Sequence, residues 1–394
     1  MVSAVLASGE VAVYGTVMRA LILHASAGGG HRRAADALER AFRMEDEQCE
    51  TFVCDILDFT PALFKHTYAQ GYLTVVRRTP ELWGYMYTRA DRKALVPWRS
   101  RVRATFNKIN TTTFFRFYRR CRPDVTVCTH FMPLEILSSK AKRQKVTNPF
   151  YCCVTDFAVH SLWVLKHVDC YYVAGEEAAR QLLRRGQPGE GIRRTGIPVD
   201  PVFAERLDAS QCRRKLGLAP DRPTILVLSG GFGIGAAPEI LKAFEGVEPF
   251  CQIAVVAGAN ERVRRQAERS ALGVQCPVKI VGHVDNMHEW MSAADLVVTK
   301  PGGLTTSEAL AKRRPLVITE PIPGQEQRNC DYLLEAGAAV RIFEPADAPE
   351  KIRTILDRPA RLQSLQRGVE AIARPHAARD IARDIIARFR AGAE

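Results

Sequence analysis

A histidine follows three consecutive glycines close to the start of the chain. In LILHASAGGGHRRAADALERAF (residues 21–42), an apolar run predicts a buried strand, Gly29 and Gly30 lie in a tight turn, and an amphipathic helix begins near His31. An imidazole has an unperturbed pKa near 6.5, so it is largely neutral at working pH and can accept a proton. The order of residues fits neither the G-x-G-x-x-G nor the Gly-Lys-Ser/Thr nucleotide motif. On this stretch alone, a solvated histidine at an ordinary turn is as good an interpretation as a catalytic one.

A second strand, glycine loop and helix are predicted in ILVLSGGFGIGAAPEIL (residues 225–241). Such a loop can hold a pyrophosphate at the helix start, although glycine loops occur in proteins of many functions. Further along, KPGGLTTSEAL (residues 300–310) joins a predicted strand to a helix that carries Glu308 in its early turns. A carboxylate near a helix start can accept two hydrogen bonds from the vicinal hydroxyls of a ribose.

Polar side chains also follow the next predicted strand, where Gln325, Glu326 and Asn329 occur together. Amides and carboxylates can distinguish the hydroxyls of a sugar. A plainer interpretation makes Glu308 a carboxylate that stabilises its helix dipole and the other three ordinary loop residues. Because these groups follow consecutive strands, whose carboxyl ends share one edge of a parallel sheet, the sequence favours a nucleotide-sugar site.

A third polar cluster, TDFAVHSLW (residues 155–163), follows a buried strand of the first half and contains Asp156, His160 and Trp163. These residues are candidates for contact with an acceptor substrate. Asp156 could instead cap a turn, and Trp163 could belong to the core.

The stretch 81–122 mixes basic and aromatic residues, with eleven Lys or Arg and one acid between Arg89 and Arg122. Such a mixture can bind single-stranded nucleic acid, or an anionic bilayer with its aromatic rings at headgroup depth. We favour the bilayer, because no RNA-binding motif is present, over nucleic acid or a merely solvated helix. The residues assigned to this surface are Trp83, Trp98, Arg99, Arg101 and Arg103.

The elements that must position these groups alternate between strand and helix along the chain. This alternation predicts an α/β protein with doubly wound parallel sheets, whose ligands bind beyond the carboxyl ends of the strands. The predicted strands are residues 19–24, 51–55, 124–128, 149–154, 169–173, 224–229, 252–257, 278–281, 295–299 and 315–319.

The composition supports a globular protein with two domains. The chain has 394 residues, of which 46% are hydrophobic and 25% charged, and a formal charge of +13 that predicts an anionic partner. Its eleven scattered cysteines contain no C-x-x-C pair and predict buried thiols in a reducing cytosol. The N-terminus does not resemble a signal peptide, and no apolar stretch predicts a spanning helix.

The predicted domain boundary lies near GIPVDPVFAERLDAS (residues 196–210), which contains a glycine and two prolines. The last residues place Ile381, Ile385 and Phe389 at helical spacing, so they predict a closing amphipathic helix. The predicted organisation is an N-terminal extension (1–17), a membrane-side domain (18–203), a nucleotide-sugar domain (204–375) and a C-terminal helix (376–394) that packs back on the N-terminal domain.

Taken together, the motifs resemble those of a known family. The N-terminal half is similar to the monogalactosyldiacylglycerol synthase domain, and the second half is similar to the C-terminal domain of glycosyltransferase family 28. The resemblance covers about residues 18 to 375 and rests on motifs in family order: GGGH, PDVTVCTHFMP, VTDFAVHSLWV, GIPVDPVF, KPGGLTTSEAL and GQEQRN.

The resemblance implies a GT-B architecture, in which two Rossmann-like domains face each other across a cleft. It also implies inverting transfer from a UDP-sugar to diacylglycerol, with no cofactor and no obligatory metal. It assigns the diphosphate to Gly231, Phe232 and Gly233, the uracil to the backbone at His283 and Val284, the ribose to Glu308, and the hexose to Gln325 and Glu326. The remaining donor-side candidates are Gly302, Gly303, Thr306 and Asn329.

The chain departs from the plant members of this family at the residue two positions before the glycine triplet. The plant pattern has an acidic residue there, whereas this chain has Ser26. This difference leaves His31 and Asp156 as the two candidates for the base that deprotonates the acceptor.

We therefore expect a peripheral protein on the cytoplasmic face of a membrane that transfers galactose or glucose from UDP to the 3-hydroxyl of diacylglycerol. Its expected partners are the UDP-hexose, diacylglycerol and anionic lipids, and no nucleic acid. One alternative is N-acetylglucosamine transfer to a polyprenyl-linked peptidoglycan precursor. Another is a non-catalytic UDP-sugar sensor.

Overall fold

Two six-stranded parallel sheets form the framework of the chain. The computed structural model describes residues 17–26, 28–61, 65, 79–92, 111–141, 146–229 and 236–392. Most of the apolar runs identified in the sequence are buried in these strands, as expected for parallel sheets covered by helices on both faces. The runs at residues 50–55 and 278–281 form edge strands and are mostly half-buried.

The first sheet has the strand order β2-β1-β3-β4-β5-β6. Because β1 pairs with β2 on one side and with β3 on the other, the winding direction reverses between β1 and β3. Ligands of doubly wound sheets bind at such a switch point. The strands are β1 (Arg19–His24), β2 (Glu50–Asp55), β3 (Val125–Cys128), β4 (Phe150–Cys153), β5 (Cys170–Tyr172) and β6 (Ile192–Arg193).

The helices described in this half pack on the two faces of the sheet or link its strands. They are α1 (Gly29–Glu45), α2 (Pro80–Arg92), α3 (Thr111–Cys121), α4 (Phe131–Ala141) and α5 (Glu176–Arg184), with a short 3-10 turn at Ser161–Trp163. The helix α1 begins at Gly29, within the glycine triplet, so Gly29 and Gly30 form its first turn at the switch point of the sheet instead of the predicted turn before the helix.

The second sheet has the order β12-β11-β10-β7-β8-β9, and its switch point lies between β7 and β10. Its strands are β7 (Thr224–Leu228), β8 (Gln252–Val256), β9 (Val278–Val281), β10 (Leu296–Thr299), β11 (Leu316–Ile318) and β12 (Ala339–Arg341). Its helices are α6 (Ala209–Lys215), α7 (Ala237–Ala243), α8 (Glu261–Ser270), α9 (Met287–Ala293), α10 (Gly303–Ala311), α11 (Gln325–Glu335), α12 (Ala348–Leu356) and α13 (Pro359–Ile372).

The last helix, α14 (Ala377–Ala391), returns to the first sheet and packs on α1. Ile381 and Ile385 are fully buried there, and Arg379 and Arg383 pair with Glu45 at the end of α1. The chain therefore crosses between the two sheets twice, at residues 194–208 and again at residues 373–376. The two crossings pack against each other, since a side chain at Gly196 (φ +100°) would come within 2.5 Å of the Arg374 Cβ.

The predicted class, with two doubly wound parallel sheets, is confirmed, and all ten predicted strands are present with ends that differ by at most one residue. Two edge strands were missed. β6 has two residues and β12 has three, and each strand has only one buried residue, so neither contains the continuous buried apolar run that marks the inner strands. All eleven cysteines are free thiols and ten of them are buried, as predicted.

Candidate active site

The carboxyl ends of the two sheets face each other, and α1 packs against α10 across the junction. The loops that follow β1, β3 and β4 come from the first sheet, and those that follow β10 and β11 come from the second. Loops at the carboxyl ends of parallel strands form the ligand crevice of this architecture. The histidine, aspartate and glutamate predicted to act on a substrate all lie in these loops or in the first turns of the helices that follow them.

His31 is held by the loops that follow β3 and β4. Its Nδ1 lies 2.9 Å from the Thr129 carbonyl oxygen and 3.0 Å from the Thr155 hydroxyl oxygen. Because a carbonyl can only accept, this geometry favours the tautomer in which Nδ1–H donates to Thr129. Within the described part of the chain, Nε2 has no partner, so its lone pair is available to an acceptor hydroxyl.

Aromatic rings surround His31 on its inner side. The His130 ring meets it edge to face at 4.5 Å between centroids, and Trp163 lies 6.3 Å away. Burial among these groups lowers the pKa of His31 to about 4, and the bond to Thr129 opposes the shift only partly. Trp163 itself is a core residue of the first domain, where it supports the histidine.

Asp156 lies where the two sheets meet. Its Oδ1 accepts a hydrogen bond of 3.2 Å from the Asn329 side-chain amide of α11. Burial raises the pKa of Asp156 to about 6, while the bond from Asn329 lowers it and the charge of Glu326 adds to the rise. Asp156 is therefore mostly ionised at neutral pH and retains an appreciable proton affinity.

Asn329 connects the two halves of the molecule. It is fully buried, and its Oδ1 accepts a 3.0 Å bond from the backbone N–H of Phe157 while its Nδ2 donates to Asp156 and to the Pro301 carbonyl. Asn329, which was predicted to bind the sugar donor, thus bridges the first and second domains. Beside it, the rings of Phe157 and Tyr332 stack at 4.9 Å.

Gly303, at the start of α10, lies against the backbone of the first domain. A Cβ at this position would lie 2.0 Å from the Thr155 carbonyl oxygen, a distance that no side chain can tolerate. The residue that holds His31 through its hydroxyl is therefore in backbone contact with the first turn of α10. Leu304 completes the contact, because its side chain lies against Gly30 of α1.

Glu308 is buried in α10, with 5% of its side chain exposed, and it meets a residue of α1. The Arg33 Nη1 lies 3.1 Å from its Oε1 and 3.2 Å from its Oε2. Burial raises the pKa of Glu308, and the Arg33 guanidinium opposes that rise. The carboxylate predicted to bind ribose is thus paired with a cation from the other domain.

The remaining predicted donor residues lie around the starts of α10 and α11. Glu326 accepts a 2.9 Å bond from the Ile322 N–H and pairs with Lys300 at 3.5 Å, and Gln325 is the first residue of α11. The Thr306 hydroxyl donates back to the Gly302 carbonyl at 2.8 Å, so it is used within its own helix start.

The candidates for the uracil, the diphosphate and the basic surface remain. His283 has an exposed side chain 3.4 Å from Asp285, and Val284 packs partly against the core of the second domain. Gly231, Phe232 and Gly233 lie outside the described residues, as do Trp98, Arg99, Arg101 and Arg103.

The helix α2 touches both domains. The Tyr87 ring packs against the His160 ring at 4.2 Å between centroids with a tilt of 36°, and the His160 Nε2–H donates to the Tyr87 carbonyl at 3.0 Å. The buried His160 therefore holds this helix against the first domain. Asp91 pairs with Arg328 of α11 at 2.7 Å. On the opposite face, three large apolar side chains are exposed beside the half-buried Trp83: Leu82, Tyr85 and Met86.

The described residues contain no group of three or more His, Cys, Asp or Glu side chains that could hold a metal ion. Nor does any described helix have the length and apolar character needed to cross a membrane.

Sequence reasoning missed the groups that support His31 and Glu308. Thr129 and His130 lie within the quoted motif PDVTVCTHFMP, and Thr155 begins the TDFAVHSLW segment. The sequence therefore predicted that these segments belong to the site, but not that these side chains and carbonyls contact His31. Nothing in the sequence around Arg33 distinguishes it from the other basic residues of an amphipathic helix.

Two doubly wound sheets whose switch points face one crevice define the GT-B architecture. The chain shares this fold with S. aureus MnaA bound to UDP (TM-score 0.61, 16% identity, 94% and 96% of the two chains covered) and with Acinetobacter baumannii MurG (TM-score 0.59, 14% identity, 94% and 99% covered). At these identities the similarity establishes the fold alone.

Residues 31–199 match the family model of monogalactosyldiacylglycerol (MGDG) synthase, and residues 224–384 match the glycosyltransferase family 28 C-terminal domain. The chain thus combines an MGDG synthase domain with a glycosyltransferase family 28 C-terminal domain, and it is a hexosyltransferase with the GT-B fold. It is 29% identical over 374 residues to a processive diacylglycerol beta-glucosyltransferase of Bacillus mycoides, covering 94% of this chain and 93% of that protein. A protein of the same description from Bacillus cytotoxicus is 28% identical over 373 residues.

Proposed function

We propose that the protein transfers galactose or glucose from a UDP-sugar to the 3-hydroxyl of 1,2-diacylglycerol with inversion, which gives a β-glycosyldiacylglycerol. The observation that carries this proposal is the meeting of His31, Thr155 and Asp156 with Gly303, Glu308 and Asn329 where the two sheets face each other. The names of the Bacillus relatives support diacylglycerol as the acceptor.

The donor is expected at the second sheet. The first N–H groups of a helix lack partners within the helix and favour anions, so the start of α10 suits the diphosphate. Glu308 faces the same junction and would accept the ribose hydroxyls, with Gln325 and Glu326 beside the hexose. Negative charge develops on the departing UDP, and preorganised N–H donors of this kind stabilise it.

His31 is the base we favour. Its Nδ1–H is anchored on Thr129, which orients Nε2 as the proton acceptor. The negative charges of a bound UDP-sugar raise the pKa of nearby groups. They would raise the pKa of His31 from about 4 towards the working pH, and that of Asp156 from about 6 towards a protonated state at pH 7. In the reacting complex, therefore, the imidazole is the better placed base.

The acceptor lipid would approach from the side of α2. Its exposed apolar residues Leu82, Tyr85 and Met86 lie at the spacing of one helix face, next to Arg89. Apolar side chains flanked by basic ones suit the surface of an anionic bilayer. The basic segment predicted from the sequence follows directly after this helix.

Transfer can be tested with purified protein, liposomes that contain 1,2-diacylglycerol, and radiolabelled UDP-galactose, UDP-glucose or UDP-N-acetylglucosamine. We expect a β-linked hexosyl lipid from one of the first two donors. Labelling from UDP-N-acetylglucosamine with a polyprenyl-linked acceptor alone would favour the peptidoglycan alternative. UDP binding without transfer to any acceptor would leave a sugar-nucleotide sensor.

The base can be tested in the same assay. We expect His31→Ala to lower kcat by at least about a hundredfold, the lower end of the effect of removing a general base, with UDP affinity little changed. Asp156→Asn is the comparison variant, because it keeps the shape of the side chain and removes its charge. Near-normal turnover of His31→Ala together with an inactive Asp156→Asn would assign the proton transfer to Asp156.

A further inference from the structure

Arg33 links the acceptor side of the molecule to the candidate ribose site. It lies two residues after His31, in the first turns of α1, and its side chain reaches α10 of the other domain. Besides the two contacts to Glu308, its Nη2 donates to the Thr305 hydroxyl at 3.2 Å. The guanidinium therefore contacts two side chains that are three residues apart, about one turn, on α10.

The two partners differ in exposure, with 47% of the Arg33 side chain exposed and 5% of that of Glu308. A buried carboxylate without a cation is costly and tends to take up a proton instead. Among the described residues, Arg33 is the donor to the Glu308 carboxylate and the cation that opposes its protonation. Arg33 of the first domain, which is half-exposed, thus favours the ionised form of the buried Glu308 in the second domain.

We infer that Arg33 is a positioning residue for the donor, which keeps Glu308 ionised and oriented so that both ribose hydroxyls can donate to it. This inference rests on the proposed function, because it assumes that Glu308 faces a UDP-sugar. An ionised carboxylate has about four lone-pair positions, so a single guanidinium nitrogen leaves acceptor capacity for the two hydroxyls. A protonated carboxyl group would lose part of that capacity.

The consequence is that the donor site is completed by the acceptor domain. Arg33 and His31 lie in the same first turns of α1, so the ribose carboxylate and the candidate base are fixed relative to each other through one helix start. Binding of the donor would thereby favour the domain arrangement in which His31 faces the sugar.

The test compares the binding of UDP and of 2′,3′-dideoxy-UDP, which lacks both hydroxyls, by calorimetry. We expect Arg33→Met to weaken UDP binding about tenfold, as for the loss of a charge-assisted hydrogen bond, and dideoxy-UDP binding by less than about twofold. Arg33→Lys should recover part of the loss. The matched control is Arg32→Met, because Arg32 is more exposed and its nearest acid is Asp36 on its own helix.

Each outcome is decisive. Equal losses for the two nucleotides would show a general effect on the fold and overturn the inference, as would unchanged UDP binding by Arg33→Met. Thermal unfolding midpoints identify any variant that has lost structure, and Arg33→Lys then supplies the comparison. If the wild-type protein binds no UDP, the proposed function itself fails, whereas normal wild-type binding with an unaffected Arg33→Met overturns this inference alone.

Discussion

The chemistry proposed for this protein depends on two titratable residues whose surroundings shift their pKa values in opposite directions. Desolvation lowers the pKa of His31 to about 4 because the charged imidazolium is disfavoured, and it raises the pKa of Asp156 to about 6 because the carboxylate is disfavoured. The sequence identified both residues as candidates. It could not distinguish them, because both shifts arise from burial by residues distant in sequence, such as His130 and Trp163 around His31.

The pH dependence of kcat/KM separates the two candidates, because it reports ionisations of the free enzyme. A base loses activity as the pH falls through its pKa, since protonation removes the lone pair. With His31 as the base, kcat/KM should stay level from pH 8 down to about pH 5 and fall only near pH 4. A decline that begins near pH 6 would instead match Asp156. Circular dichroism at each pH shows whether the protein remains folded.

At the scale of elements, the periodicity of the sequence predicted the strands well, because parallel buried strands are continuous apolar runs. The periodicity did not predict the contacts between elements. The glycines of KPGG were predicted as donor-side residues, yet Gly303 also permits the backbone of α10 to touch Thr155. Likewise, the buried Asn329 was expected to meet a sugar and is found between Asp156 and Phe157. A single sequence contains no signal for such long-range pairs.

The contact at Gly303 predicts that its replacement by alanine will impair catalysis more than folding. The added Cβ would have to displace the Thr155 carbonyl, and with it the hydroxyl that holds His31. Because a displacement of about 1 Å at a reacting group can cost about a hundredfold, we expect kcat for hexose transfer to fall by about that factor.

The matched control is Gly189→Ala, at an exposed turn where the new Cβ meets only Leu183 at 3.5 Å. That variant should retain wild-type turnover. If Gly303→Ala is active within about twofold of wild type, the two domains do not meet in this way during the reaction. Far-ultraviolet circular dichroism and the thermal midpoint separate loss of turnover from loss of fold.

At the scale of the whole molecule, charge and exposed apolar surface point to the same partner. The chain has a formal charge of +13, and α2 exposes an apolar face to solvent. This helix lies at the domain junction, because its Asp91 pairs with Arg328 of the second domain. The predicted basic residues that follow α2 would add attraction to anionic lipid of about 1 kcal/mol each near the surface. The protein would then bind its acceptor membrane with the crevice turned towards it.

This orientation predicts that reversing the charges of Arg99, Arg101 and Arg103 to Glu weakens binding to anionic vesicles by at least about tenfold. Co-sedimentation with vesicles at increasing salt measures it, and wild-type binding should itself weaken with salt. The control reverses Arg262, Arg265 and Arg269, which are exposed on α8 of the second domain. Both variants have the same net charge, so equal effects would mean that the surface as a whole, not this segment, attracts the vesicle.

The double crossing of the chain between the sheets has a mechanical consequence. Two domains joined by one linker can rotate and translate relative to each other in several directions, whereas two linkers packed together restrict the motion to a hinge rotation. Here the two linkers are in contact at Gly196 and Arg374, where a Cβ on Gly196 would lie 2.5 Å from the Arg374 Cβ. We expect the crevice to open by a rotation about these two crossings. Such a rotation would move α1 and α10 along one path, on which His31 and the start of α10 separate and then regain the same relative position.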